Sequence, residues 1–146
     1  MGYKTIVCGV TGSEPSQKAA LEAARLAKEN QADLIYVYVV DVTFLKGITV
    51  ELTPDFAQKT LEHLGGHFLE RAETISLAEG VIPKKILRPG AVLEVLKQIL
   101  AEEKADLLVI GHEDRSFFEK FLFDANVEDH IQELINQTGV QVQLIR

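Results

Sequence analysis

The sequence predicts a single doubly wound α/β domain, a five-stranded parallel sheet of order 3-2-1-4-5 with helices on both faces. Three observations predict it. The runs Thr5 to Val10, Leu34 to Val40 and Leu107 to Ile110 are apolar almost throughout. Helical patterns alternate with these runs along the whole chain. Two further strand-like runs are less apolar, as the edges of a sheet require.

Thr5 to Val10 is too short for a typical helix and rich in Val and Ile, so it reads as a strand buried on both faces. A helix follows from Glu14 to Asn30, with a small-residue stripe at Ala19, Ala20, Ala23, Ala24 and Ala27. Leu34 to Val40 is the second buried strand. The one long connection, Asp41 to Thr53, lies beside the predicted cleft, and Phe44, Leu45 and Ile48 are expected to tuck it onto the domain. Thr53 then Pro54 is a helix start signal, a capping hydroxyl before a residue preset for the first turn. That helix runs to about Glu79, with a stripe at Ala57, Leu61, Leu64, Phe68, Ala72 and Ile75.

Val81 to Leu87 contains Pro83, Lys84 and Lys85. Proline has no amide to donate, so this strand is placed at a sheet edge. Ala91 to Lys104 is helical, with Val92, Val95, Leu96 and Ile99 inward. After the third buried strand, a last helix spans about Asn126 to Gln137, carrying Val127, Ile131, Leu134 and Ile135. Val140 to Ile145 alternates apolar residues with Gln141 and Gln143, which suits the other edge with one exposed face. Strand-helix alternation implies a parallel sheet, and right-handed crossovers allow the order 3-2-1-4-5. Ligands of such sheets sit outside the strands' carboxyl ends at the switch point, here the loops after Val10 and Gly111.

The bulk properties narrow the function classes. A chain of 146 residues is expected to form one domain, residues 1–146. With 47% hydrophobic and 25% charged residues it has the make-up of an ordinary globular protein. A net charge of −7 argues against nucleic acid or an anionic membrane as the main partner. Cys8 is the single cysteine, so no internal disulfide can form. The N-terminus carries no signal-peptide pattern and no apolar run is long enough to span a bilayer. A cytoplasmic setting is the expectation.

Particular segments resemble a known family. Val10-Thr11-Gly12-Ser13-Glu14-Pro15-Ser16, followed by the alanine-rich helix, resembles the first βα turn of universal stress proteins. Ala105-Asp106-Leu107-Leu108-Val109-Ile110-Gly111 resembles their fourth strand, and Gly90 leading into Val95 and Ile99 also matches. The resemblance covers essentially the whole chain. It implies an adenine-nucleotide α-hydrolase-like fold, a stress-response binding or regulatory role rather than an enzyme, and ATP or AMP as the ligand of many members. It also implies a phosphate loop G-x2-G-x9-G-[ST] from the end of strand 4, in which glycines let backbone amides face the phosphates.

Here the frame stands but most positions depart from it. Gly111 matches the first glycine. Asp114 and Asp124 stand at the second and third, and Ala125 at the Ser/Thr position. Phe117 replaces a further frequent glycine, and Thr11 replaces the aspartate usual in the first turn. The resemblance thus puts a degenerate nucleotide site at Thr11, Val40, Gly111, Asp114, Arg115, Asp124 and Ala125. Two like charges ~4 Å apart repel by about 1 kcal/mol in water and about 4 kcal/mol at an effective dielectric of about 20. A micromolar site has only about 8 kcal/mol in all, so two aspartates facing a polyphosphate disfavour ATP. Arg115, or a magnesium bridge, would offset part of this. The Asp114 and Asp124 carboxylates are expected to fill the anion position themselves, or Asp124 or Asn126 to cap the last helix. No cofactor is predicted.

Other polar groups carry less. His63 and His67, four apart, have a spacing compatible with shared metal ligation, with Glu62 and Glu70 nearby. Gly65 and Gly66 weaken that helix, and solvated surface histidines are the expectation. His112, Glu113, Asp114 and Arg115 form a polar loop at the cleft mouth without an oriented catalytic pair. Phe117, Phe118, Phe121 and Phe123 are expected in packing, with Phe117 covering the cleft or forming a partner patch. The last strand, with Val140, Val142 and Leu144, invites antiparallel pairing with a second copy, as the resemblance also implies.

Overall fold

A computed structural model describes residues 2–40, 54–111 and 134–145. The elements are β1 (Thr5–Gly9), α1 (Glu14–Asn30), β2 (Asp33–Val40), α2 (Pro54–Ala78), β3 (Lys84–Pro89), α3 (Val92–Glu102), β4 (Leu107–Gly111) and β5 (Gln141–Ile145). Residues 134–138 are helical, the end of the predicted last helix. The rest of that helix and the connection from Asp41 to Thr53 lie outside the described residues. The strands form one sheet of order β3-β2-β1-β4-β5, every neighbouring pair parallel. This is the predicted architecture.

Alternate side chains of the central strands feed two cores. Val7, Ile35, Val37, Leu108 and Ile110 face one side and pack with Val92, Val95, Leu96, Ile99 and Leu100 of α3 and with Leu134. Ile6, Cys8, Leu34, Tyr36, Leu107 and Val109 face the other, against the alanine stripe of α1 and Leu69 and Ala72 of α2. Burial on both faces is why these strands read as continuous apolar runs rather than alternating ones. Cys8 lies opposite Tyr36 and Val109 in the register. Both faces of β5 are partly covered: Val142 and Leu144 pack on the first core and Ile145 on the second. The expectation of one open face for this strand therefore fails.

Two further readings need correction. The strand expected over Val81 to Leu87 begins at Lys84 and ends at Pro89, opposite Val40. Pro83 precedes it, so the edge position does not follow from that proline. The helical stripe of α2 does not include Leu64, which is 40% exposed. Gly65 is buried in its place. A Cβ on Gly65 would stand 2.3 Å from Tyr38 Cδ1 and 2.9 Å from Leu87 Cδ1, so this glycine sets how closely α2 approaches β2 and β3. Leu61 and Ala72 are buried as predicted, with Phe68 and Ile75 half-buried. Despite its two glycines, α2 is continuous, because tertiary packing outweighs propensity.

The β3 edge is clipped to its helices by charge. Lys85 pairs with Glu73 of α2 at 3.0 Å. Arg88 makes two parallel bonds to the Glu102 carboxylate, at 2.9 and 3.0 Å, and Lys84 pairs with Glu103. The bond from Arg88 holds the Glu102 carboxyl below the usual carboxylate range.

The two glycines of α2 should respond to alanine with opposite signs. Gly65→Ala should destabilise the fold by about 1–3 kcal/mol through overpacking against Tyr38. Gly66→Ala should stabilise it by about 0.4–1 kcal/mol, since an added Cβ at 66 meets nothing within 4 Å. Urea unfolding of the two variants checks both signs.

Candidate functional site

The carboxyl ends of β1 and β4 meet at the first turn of α1. β1 ends at Gly9, and buried Val10 donates its N–H to the Val37 carbonyl at 2.8 Å. The turn Thr11-Gly12-Ser13 then closes on three hydroxyls. Ser16 Oγ accepts the Thr11 N–H at 2.7 Å, and Ser13 Oγ accepts the Ser16 N–H at 3.1 Å as the helix N-cap. Thr11 Oγ1 accepts the Ser13 N–H at 3.3 Å and lies 3.1 Å from Ser13 Oγ. Ser16 is only 2% exposed, and its hydroxyl has the Thr11 amide as a fixed partner. The local reason is capping: a hydroxyl at the N-cap satisfies an amide that the helix itself leaves open. Sequence reasoning missed this circuit. Its signal was the spacing of Thr11, Ser13 and Ser16 just before the alanine stripe.

Two glycines shape the walls. A Cβ on Gly111 would lie 2.6–2.7 Å from the Pro15 carbonyl carbon and oxygen and the Ser16 nitrogen, all backbone atoms. The end of β4 therefore touches the first turn of α1 directly, and packing alone demands glycine there. A Cβ on Gly12 would fall 2.5 Å from the Phe68 ring. Phe68, also in ring contact with Tyr38 at 6.1 Å, makes α2 a wall of the turn. The crevice left among Gly12, Gln17, Phe68, Arg71 and Ile75 holds about 10 Å³, room for about one water.

Val40, 1% exposed, ends β2, and its carbonyl accepts the Gly90 N–H at 3.0 Å. Gly90 has φ +137, a conformation that favours glycine, and a Cβ there would press on Val95 at 2.7 Å. The predicted positions Thr11, Val40 and Gly111 thus come together at one end of three adjacent strands. Asp114, Arg115, Asp124 and Ala125 lie outside the described residues, as do His112, Glu113 and the phenylalanines at 117, 118, 121 and 123.

The remaining candidates lie elsewhere. Val140 is buried, and Val142 and Leu144 are half-buried within their own domain. Among the described residues, the outer main-chain edge of β5 has no strand neighbour. His63 and His67 are exposed on α2, and the described residues gather no group of three or more histidine, cysteine or acidic ligands. Cys8 is fully buried, and burial pushes its thiol far above the usual range. Its neighbour Tyr36 is pushed up for the same reason and donates its hydroxyl to the Ala20 carbonyl at 2.7 Å. Neither group is a nucleophile in this setting. No helix among the described residues is long and apolar enough to cross a membrane.

The five-stranded parallel sheet of this order, and its likeness to solved universal stress protein structures, give the chain an adenine-nucleotide α-hydrolase-like fold. The chain belongs to the universal stress protein family, whose model matches residues 2–142. It is 29% identical over 126 residues to a universal stress protein of Methanocaldococcus jannaschii, covering 86% of this chain and 74% of that one. A universal stress protein family structure from Burkholderia pseudomallei superposes with TM-score 0.73 at 23% identity, over 98% of this chain and 96% of its own. The Archaeoglobus fulgidus universal stress protein in complex with dAMP superposes with TM-score 0.67 at 16% identity, over the full length of both.

Gly111→Ala should destabilise the protein by about 1–3 kcal/mol in the absence of any ligand, because the clash is with backbone. Ser16→Ala should cost about 1–3 kcal/mol by stranding the Thr11 amide. Denaturant midpoints read both. Cys8 should resist thiol reagents in the native state and label only at the rate of global unfolding. Fast labelling without loss of structure would contradict its burial.

Proposed function

We propose that this chain is a stress-response binding and regulatory module that works without tight ATP binding, as a cytoplasmic homodimer and without catalytic turnover. The observation that carries this reading is the first turn. At the position where an acidic side chain is usual, Thr11 puts its hydroxyl beside the helix cap, 3.1 Å from Ser13 Oγ. The ligand-facing charge of the turn is replaced by an internal hydroxyl circuit. Asp114, Asp124 and Ala125 add to this from the sequence, since carboxylates at two glycine positions repel phosphate. Gly111 does not weigh against it, because its contact with Pro15 and Ser16 already requires glycine.

The choice of edge supports the dimer. β3 carries Lys84, Lys85 and Arg88, the charged residues that discourage edge pairing. β5, Gln-Val-Gln-Leu-Ile, carries none. Two-fold antiparallel pairing of Val140 to Arg146 closes that edge. The second reading is a nucleotide-dependent switch. It draws on the A. fulgidus relative in complex with dAMP.

Calorimetry with magnesium-ATP separates the two. The expected result is no binding tighter than about millimolar, and a micromolar dissociation constant would make the switch reading correct. Restoring the usual residues together (Thr11→Asp, Asp114→Gly, Asp124→Gly, Ala125→Ser) should tighten binding at least about tenfold, roughly 1.4 kcal/mol. Light scattering at micromolar concentration should give twice the 16.2 kDa chain mass. Gln141→Lys with Gln143→Lys should return the monomer, while a monomeric wild type would overturn the dimer.

A further inference from the structure

We propose that His63 and His67 form a two-imidazole site for a divalent first-row transition metal, copper(II) above zinc(II), that clamps the double-glycine turn of α2. Helix α2 is unbroken from Pro54 to Ala78. Residues four apart on such a helix share a face, with Cβ atoms about 5–6 Å apart, within the span of one ion bound by both rings. Both histidines are exposed. Neither makes a salt bridge among the described residues, and the one neighbour that His67 stacks near is the Phe68 ring, 6.1 Å away. Their ring nitrogens are therefore open to solvent and to a metal.

The backbone under the pair is held from the other side. Gly65, between the two histidines, is pressed against Tyr38 and Leu87, which fixes the register and rotation of this turn on the sheet. Gly66 faces outward, with nothing within 4 Å of where its Cβ would be. Among the described residues, this leaves room beside the histidines for a hydrated ion. Two consecutive glycines also make this the turn of α2 with the poorest intrinsic helix propensity. Cross-linking its ends through a metal restrains the turn that most needs it.

The described residues supply two protein ligands to the site. The Glu62 carboxylate is engaged by Gln58 at 3.0 Å, and no third histidine, cysteine or acid joins the pair among the described residues. Water fills the other positions. Imidazole suits copper and zinc, and at a site with no imposed geometry copper binds more tightly. The chain's charge of −7 favours cations generally, but only the paired rings give a chelate.

The test is calorimetric titration of the full chain with copper(II) chloride near neutral pH, with electron paramagnetic resonance of the bound ion. The chain holds four histidines. His63→Ala and His67→Ala should each weaken binding at least about tenfold, as loss of one of two ligands requires. His112→Ala and His130→Ala should not. A chain with His67→Ala and Glu70→His keeps the histidine count but breaks the spacing, and should bind as weakly as His67→Ala alone. Copper should raise the melting temperature of the wild type and leave that of His67→Ala unmoved. The resonance should show two coordinated nitrogens. Binding lost in the His112 or His130 variant instead, binding kept in the broken-spacing chain, or no binding in the wild type would each overturn the site. Nothing in this test depends on the nucleotide reading.

Discussion

The close seating of α1 on the sheet is the constraint on which the rest of the molecule depends. Ala19, Ala20, Ala23, Ala24 and Ala27 are all buried, and none projects beyond a methyl group. Individually they contribute little hydrophobic free energy. Together they let the helix lie flat on β1 and β4, so that its first turn abuts the end of β4 at Gly111. That contact fixes where Ser13 and Ser16 stand, and they in turn hold the Thr11 amide. A larger residue anywhere along this seam would tilt α1 and open the cleft.

The sheet's two edges are managed by different chemistry. β3 is held to α2 and α3 by Lys85–Glu73, Lys84–Glu103 and Arg88–Glu102. These pairs lie at the solvent surface, where screening leaves them little effect on stability. Their larger effect is to surround an open strand with charge. β5 itself carries no charged residue, and its side chains are partly committed to both cores. The molecule is thus polarised from one edge to the other, although the sheet itself is built from equivalent parallel ladders.

Much of the architecture was legible because the central strands are buried on both faces. Burial erases the alternation that would make them look amphipathic, and Thr5 to Val10 and Leu34 to Val40 carry that signature openly. Strand β3 was less legible. Its residues are mainly exposed, so no apolar periodicity marked its start, and Pro83 drew the boundary too early. Leu64 misled for a related reason: an apolar residue at helical spacing gave way to Gly65, because Tyr38 occupies the space a side chain would need. At the site, topology pointed to the loops after Val10 and Gly111, and the resemblance added Thr11 and Val40. The hydroxyl circuit and the Phe68 wall were not foreseen: the circuit joins residues only 2 to 5 positions apart, whose capping spacing went unread, while the wall joins Gly12 to Phe68, 56 positions apart, which no local pattern announces.

Gly111 has a consequence for how descent is read from sequences like this one. Its contact with Pro15 and Ser16 would keep a glycine in place whether or not anything ever bound beside it. A lineage that abandoned its ligand would go on carrying this residue as an inheritance of packing, while neighbours under no such steric hold were free to drift. The presence of that one glycine is therefore a record of the fold's ancestry, and the loop positions after it are where a change of trade would be written.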